Sequence, residues 1–269
     1  MSALVNFPWY DLPELNQLHD QLWLELKYRL ASRGLRDLPK LRQTNVNHDM
    51  MLLSDQLLIT QTCGFDVATQ VPRKVCLIAA PTFNLVECPQ GHYYSYLLSH
   101  KKKLGSQASV SINDSRSWSG CHALLKYCKD REIEIDWATS CFSGSHRESL
   151  KKLLRKEVHV AAIDAVTLTL YSKHVPNIFD QLSILGRTLP IPAPPYVTSL
   201  SNSTELVGIV FEELQDLVRT SPWIQENLLL LDLLKVSRKT YEECQQNLFL
   251  DFHGQTPILD RSSARFAHE

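Results

Sequence analysis

Apolar residues recur at helical spacing at Leu15, Leu18, Leu22, Leu26 and Leu30, which predicts an amphipathic helix. Asp11 with Glu14 three residues on reads as a capping box, and Pro13 suits a first helical turn. Gly34 reads as the stop. Short apolar runs then alternate with helical stretches. Strands are predicted at 57–60, 75–79, 93–98, 108–112, 133–137, 158–163 and 182–185, and helices at 121–127, 147–156 and 165–172. Such alternation implies an α/β protein with mainly parallel sheets covered on both faces. Pro190, Pro192, Pro194 and Pro195 then predict a stiff, extended connector. Beyond it the pattern predicts helices only. Leu206, Val207, Val210, Phe211, Leu214, Leu217 and Val218 line the face of one, and 223–234 and 241–249 suggest two more. The tail after Gly254 reads as loosely ordered.

Composition narrows the function classes. The 269 residues carry 28 Lys plus Arg against 29 Asp plus Glu, a net charge of -1, which argues against a chain built mainly to neutralise nucleic-acid phosphates. With 44% hydrophobic residues and 9% aromatic, the chain has the material for a large core and no low-complexity character. No apolar run approaches the ~20 residues of a membrane span, so direct membrane insertion is not expected. The start, Met1 to Pro8, lacks the features of a secretory signal. A cytoplasmic location is the expectation, or a periplasmic one if a signal has been removed. The 7 cysteines form no C-x-x-C pair and read as reduced thiols, Cys63 included. His92, His122, His159 and His174 are scattered without ligand spacing, so neither a metal nor a cofactor is expected. Lys101, Lys102 and Lys103 read as a solvated loop.

Ligands of open parallel sheets bind beyond the carboxyl ends of strands. Three such loops carry suitable residues. Ser117, Trp118, Ser119 and Gly120 stand at a strand-to-helix junction, where hydroxyls and free N–H groups cradle an anion or one serine merely caps the helix. Ser145 and His146 precede another helix, and the histidine either donates to an oxyanion or lies on the surface. Gln61 and Thr62 end a strand ahead of Gly64, which permits a tight turn. Asp164 follows a buried-type strand and either meets a ligand hydroxyl or amine or caps the next helix. Tyr10, Tyr93 and Tyr94 are candidate walls of a cleft or ordinary core residues, and Trp118 either stacks on a ligand or plugs an interface.

Taken in order, these blocks resemble the phosphate/phosphite/phosphonate substrate-binding proteins of ABC importers. The blocks are Trp9-Tyr10-Asp11-Leu12-Pro13-Glu14, Asp55 to Gly64, Ala80-Pro81-Thr82-Phe83, Cys88 to Ser95, Asn113 to Gly120, Ser143 to Ser149 and Val160 to Asp164. The resemblance spans about residues 5–200. It implies a type 2 periplasmic-binding-protein fold: two α/β lobes, two crossing strands, a ligand held in the cleft and closure by a hinge. Lobe one would be 1–95 plus 190–269 and lobe two 96–189. In phosphonate-binding members a Ser-Thr-Ser-Gly turn grips the phosphonate oxygens. Here it matches Ser117, Trp118, Ser119 and Gly120, and the tryptophan removes one hydroxyl. The resemblance further matches a histidine to His146 and a cleft tyrosine to Tyr93 or Tyr94, with lobe-one contacts from Tyr10, Gln61 and Thr62. Asp164 would suit a ligand with an amine or hydroxyl beside its anionic group.

The expected function is therefore non-catalytic binding of a small anionic solute, with a phosphorus oxyanion first in line. An ABC permease or a sensor partner protein is the implied partner, and nucleic acid is not. Two alternatives stand beside it. One is a cytosolic enzyme of the same fold, of menaquinone- or thiamine-pyrimidine-pathway type, for which His146 with Asp164 is the one acid/base pair on offer. The other is a cytoplasmic ligand sensor.

Overall fold

The computed structural model describes residues 3–69, 75–175 and 177–249. Its described residues form two compact units, one of those up to Tyr93 with those from Ile191 to Glu243, the other of those from Tyr94 to Pro190 with those from Cys244 on.

Unit 1 begins with β1 (Leu4–Val5), α1 (Asn16–Ser32), α2 (His48–Leu52), β2 (Leu57–Gln61), α3 (Gly64–Thr69), β3 (Val75–Phe83) and β4 (His92–Tyr93). The expected stripe on α1 is real: Leu22, Trp23, Leu26 and Leu30 are buried, and Gly34 ends the helix at φ 90°. The capping box is not formed, because a 3-10 turn at Pro13–Leu15 precedes α1 and neither helix start has a side-chain cap. Asp11 instead pairs at 2.9 Å with Arg42, whose guanidinium is 1% exposed. Gly64 opens α3 and makes no tight turn there.

Unit 2 runs through β5 (Ser95–Ser99), β6 (Gln107–Ala108), β7 (Val110–Ile112), a π-helical turn (Trp118–His122) continuous with α4 (Ala123–Asp130), and β8 (Glu134–Ile135). It goes on with β9 (Cys141–Phe142), α5 (His146–Leu154), β10 (Val160–Asp164), α6 (Ala165–Ser172), α7 (Ile178–Gln181) and β11 (Ser183–Arg187). Its core gathers Leu97, Val110, Ile112, Leu124, Leu150, Leu153, Val160 and Ile163.

The chain then returns to unit 1 as β12 (Ile191–Pro192), β13 (Tyr196–Ser199), α8 (Thr204–Thr220), α9 (Pro222–Leu228), β14 (Leu230–Leu234) and α10 (Arg238–Phe249). This corrects two expectations. The proline-rich stretch is not a bare connector, since β12 pairs with β4. The segment beyond it is not helical throughout: Leu229 takes φ 58°, ends α9, and releases β14 to pair with β3. Among the described residues, those from Cys244 on group with unit 2. The tail after Gly254 lies outside the described residues.

The sheets are mixed where mainly parallel ones were expected. In unit 1 the order is β1-β2-β13-β3-β14, with β13 antiparallel to both β2 and β3. In unit 2 the order is β11-β5-β10-β7-β9, with β10, β7 and β9 parallel and β5 antiparallel to β10 and β11. β13 returns from the excursion through unit 2, and β5 enters unit 2 from β4. Both insert inside a sheet against the direction of their neighbours, which the helix–strand alternation could not reveal.

Candidate functional site

The parallel strands β7, β9 and β10 end on one edge of the unit 2 sheet, and each delivers a candidate residue there. β7 leads into the turn that holds Ser117 and Ser119. β9 leads to Ser145 and His146 at the start of α5, and β10 ends on Asp164. The carboxyl ends of neighbouring parallel strands are where the geometry of such sheets opens a crevice.

The serine turn is built by local bonds. Ser117 caps the helix, its Oγ accepting from Gly120 N at 3.0 Å. The turn is over-wide: Cys121 N and His122 N both donate to Ser117 O at 3.0 Å, and Ala123 N donates to Trp118 O. Single π-turns of this kind are frequent at functional positions. Gly120 leaves room there: a Cβ would sit 1.8 Å from Asn113 Oδ1, so the Asn113 side chain would have to move. Ser95 Oγ donates to Ser119 O at 2.9 Å and holds the turn to the start of β5. The two hydroxyls end 3.4 Å apart, and the first N–H groups of the helix 118–130 have no intrahelical acceptor. The positive end of the helix dipole lies on the same turn.

His146 joins them. Its Nε2 lies 2.9 Å from Ser119 Oγ and 3.4 Å from Asp164 Oδ2, and its Nδ1 lies 3.1 Å from Ala162 O. A carbonyl only accepts, so Nδ1 carries a proton and donates to it. In the neutral ring Nε2 is then a lone pair that accepts from the Ser119 hydroxyl. Burial pushes the imidazole below its ordinary pKa against the pull of Asp164 and the Ala162 carbonyl. Asp164 is 2% exposed, and its other oxygen accepts from Thr167 N at 2.9 Å as the cap of α6. Asp164 thus caps α6 and also faces the His146 ring.

This cluster is not arranged as a nucleophilic triad. There the serine and the carboxylate occupy opposite nitrogens of the imidazole. Here both approach Nε2, and Nδ1 is held by main chain.

The remaining candidates fall elsewhere. Ser145 caps α5 by accepting from Glu148 N at 3.1 Å. The Trp118 side chain is fully buried, and its Nε1 donates to Gln245 Oε1 at 2.7 Å. Tyr94 is buried, its hydroxyl 3.2 Å from that of Tyr96 and its ring under the Arg187 guanidinium, and burial raises its pKa to about 12. In unit 1, Tyr93 is buried in β4, and Gln61 and Thr62 are buried where β2 ends. Tyr10 adopts φ 66°, rare for an aromatic residue, and sets its ring edge-on to Phe83 at the end of β3. Gln61 and Thr62 thus stand at the carboxyl end of β2 and Tyr10 against that of β3, whereas Tyr93 lies in β4, outside that sheet. Sequence reasoning missed Ser95, Asn113, Ala162 and Gln245. Nothing local marks them, and only the fold brings them to the turn.

The family model described as the periplasmic substrate-binding protein of phosphonate ABC transporters matches residues 98–243, more than half of the chain. No curated protein matches in sequence. Among solved structures, a binding-protein component of a phosphonate ABC transporter from Pseudomonas aeruginosa is 14% identical with a TM-score of 0.68, over 91% of this chain and 85% of that one. PhnD1 of Prochlorococcus marinus in complex with methylphosphonate is 12% identical with a TM-score of 0.62, over 84% and 92%. A Xanthomonas citri protein bound to ATP is 10% identical with a TM-score of 0.60, over 83% and 88%. No helix among the described residues is long and apolar enough to cross a membrane. With its type 2 periplasmic-binding-protein fold, the chain belongs to the periplasmic phosphonate substrate-binding proteins of ABC transporters, a family of non-catalytic solute-binding proteins.

Proposed function

We propose that unit 2 binds a phosphorus oxyanion at the serine turn. The observation that carries this reading is the meeting of the Ser117 and Ser119 hydroxyls and the His146 ring at the N-terminus of the helix 118–130. Neutral donors at a helix start hold an anion without a cluster of arginines. Ser119 reaches the anion by turning its hydroxyl proton away from His146. The imidazole then takes up a proton and donates from Nε2. Asp164 selects among oxyanions: a buried carboxylate repels a fully ionised tetrahedral anion, and it accepts from a P–OH, an amine or a hydroxyl of the ligand. With Trp118 in the place of a hydroxyl residue the turn offers two serine hydroxyls, which suits phosphite, phosphate or a small phosphonate. The ligands named for the Prochlorococcus and Xanthomonas structures, methylphosphonate and ATP, are both phosphorus oxyanions and support the class. The partner would be an ABC permease.

A thermal-shift screen against phosphate, phosphite, methylphosphonate, 2-aminoethylphosphonate, sulfate and carboxylates tests this. At about a hundredfold excess over Kd a true ligand adds ~2.7 kcal/mol of stability. A phosphorus oxyanion is expected to raise Tm, and sulfate is not. The shift should vanish when Ser117 and Ser119 are both replaced by Ala. A shift that survives both replacements would sink the anion-turn reading.

A further inference from the structure

Trp118 stands between the two serines of the turn, yet its indole takes no part in the hydroxyl cluster. It is fully buried, and its one polar atom donates to the side-chain oxygen of Gln245, 127 positions along the chain in α10. Gln245 is itself only 4% exposed. At 2.7 Å this is a short bond for an N–H donor, and it lies out of water's reach. An indole has two side-chain torsions. Once its plane is packed and its nitrogen pinned, the Cα–Cβ direction of Trp118 is pinned as well. Ser117 and Ser119 are its covalent neighbours, so the rotation of Trp118 about the helix axis sets theirs. The turn needs such a constraint. A π-turn is less favourable than an α-turn, and Ser117 O already shares two donors, Cys121 N and His122 N. Relaxation towards an ordinary α-turn would rotate the two serines relative to each other and carry Ser119 Oγ away from His146.

We propose that Gln245 is a positioning residue for the anion site: through its bond to the Trp118 indole it holds the serine turn in the rotation that aims both hydroxyls at the ligand. The proposal rests on the function proposed above. It also accounts for the tryptophan in a turn where a hydroxyl residue would otherwise add a contact, because the indole exchanges that contact for an anchor on α10. Gln245 touches no anion, and its effect on affinity is separable from its effect on stability.

The test uses the full chain and three probes, methylphosphonate, phosphite and inorganic phosphate, by titration calorimetry with melting curves alongside. Gln245→Leu removes the acceptor. Gln245→Glu keeps it. Trp118→Phe keeps the ring and removes the donor. Leu170→Ala, at a fully buried position of α6, serves as a control for lost stability alone. Gln245→Leu and Trp118→Phe should each weaken the best probe about tenfold, and the double variant no further, since both break one bond. Gln245→Glu should stay within about threefold of the wild type, and Leu170→Ala should lower Tm without changing affinity. Affinity of Gln245→Leu within about twofold of the wild type, additive losses in the double variant, or an equal loss in Leu170→Ala would each overturn the positioning role. If Gln245→Leu does not fold, Trp118→Phe against Gln245→Glu decides the same point. A wild type that binds none of the three probes overturns the proposed function, and this inference with it. A wild type that binds while the Gln245 variants bind equally overturns only the inference.

Discussion

At the scale of single residues, protons decide the behaviour of the site. The His146 ring is neutral when unliganded, with Nδ1–H held by Ala162 O and Nε2 facing Ser119 Oγ and Asp164 Oδ2. Its pKa lies below the usual 6.5 because burial penalises the charged form. In the function proposed above, a bound anion would reverse that penalty by placing negative charge beside the ring. Binding therefore takes up a proton, and affinity should rise as pH falls below neutrality, by up to about tenfold per unit. The ligand titrates in the same range, so the quantity to read is the difference between wild type and His146→Gln with one probe. The wild type should show the steeper slope. Equal slopes would mean that His146 does not change charge on binding.

Among elements, the serine turn has a definite steric limit at Gly120. Gly120 does not need left-handed backbone, so what it supplies is space: a Cβ would lie 1.8 Å from Asn113 Oδ1. Gly120→Ala should cost about 1–3 kcal/mol, the usual range for overpacking a filled interior. Asn113→Ala in the same chain should recover most of it, which denaturant titration can read. No recovery would show that the cost comes from the π-turn backbone and not from the amide. The same steric fact explains the sequence here, since a strand, a capping serine and a helix can be written without a glycine at this position.

For the whole molecule, buried imidazoles set an acid limit. His19 on α1 is 4% exposed, both ring nitrogens lack a hydrogen-bond partner, and burial lowers its pKa to about 3. Above pH ~6.5 neither folded nor unfolded chain protonates it, and the group leaves stability unchanged. Below that the unfolded chain binds the proton and the folded one refuses it, so stability falls by up to ~1.4 kcal/mol per pH unit down to about 3. His146 shifts in the same direction and acts with the same sign. Urea midpoints measured from pH 7.5 to 4 should therefore fall less steeply in His19→Leu than in the wild type. Parallel curves would contradict the buried, neutral His19.

What the amino-acid order determined by itself is local. The stripe of α1, the strand runs that became β2, β3, β7 and β10, and the polar residues placed just after them follow from short-range pattern. The order of blocks also pointed to the family. Tertiary structure decided what depends on partners far along the chain. The capping box at Asp11 lost its acid to Arg42, 31 positions away, because a buried guanidinium demands a carboxylate more strongly than a helix end does. Leu230–Leu234 carries enough apolar residues for either a helix or a strand, and the free edge of β3 settled the choice. The candidate site divides the same way. Ser117, Ser119, His146 and Asp164 were legible because strand ends and helix caps mark them. The common nitrogen on which Ser119 and Asp164 meet, and the anchor of Trp118 on Gln245, arise from packing between segments that no local pattern joins.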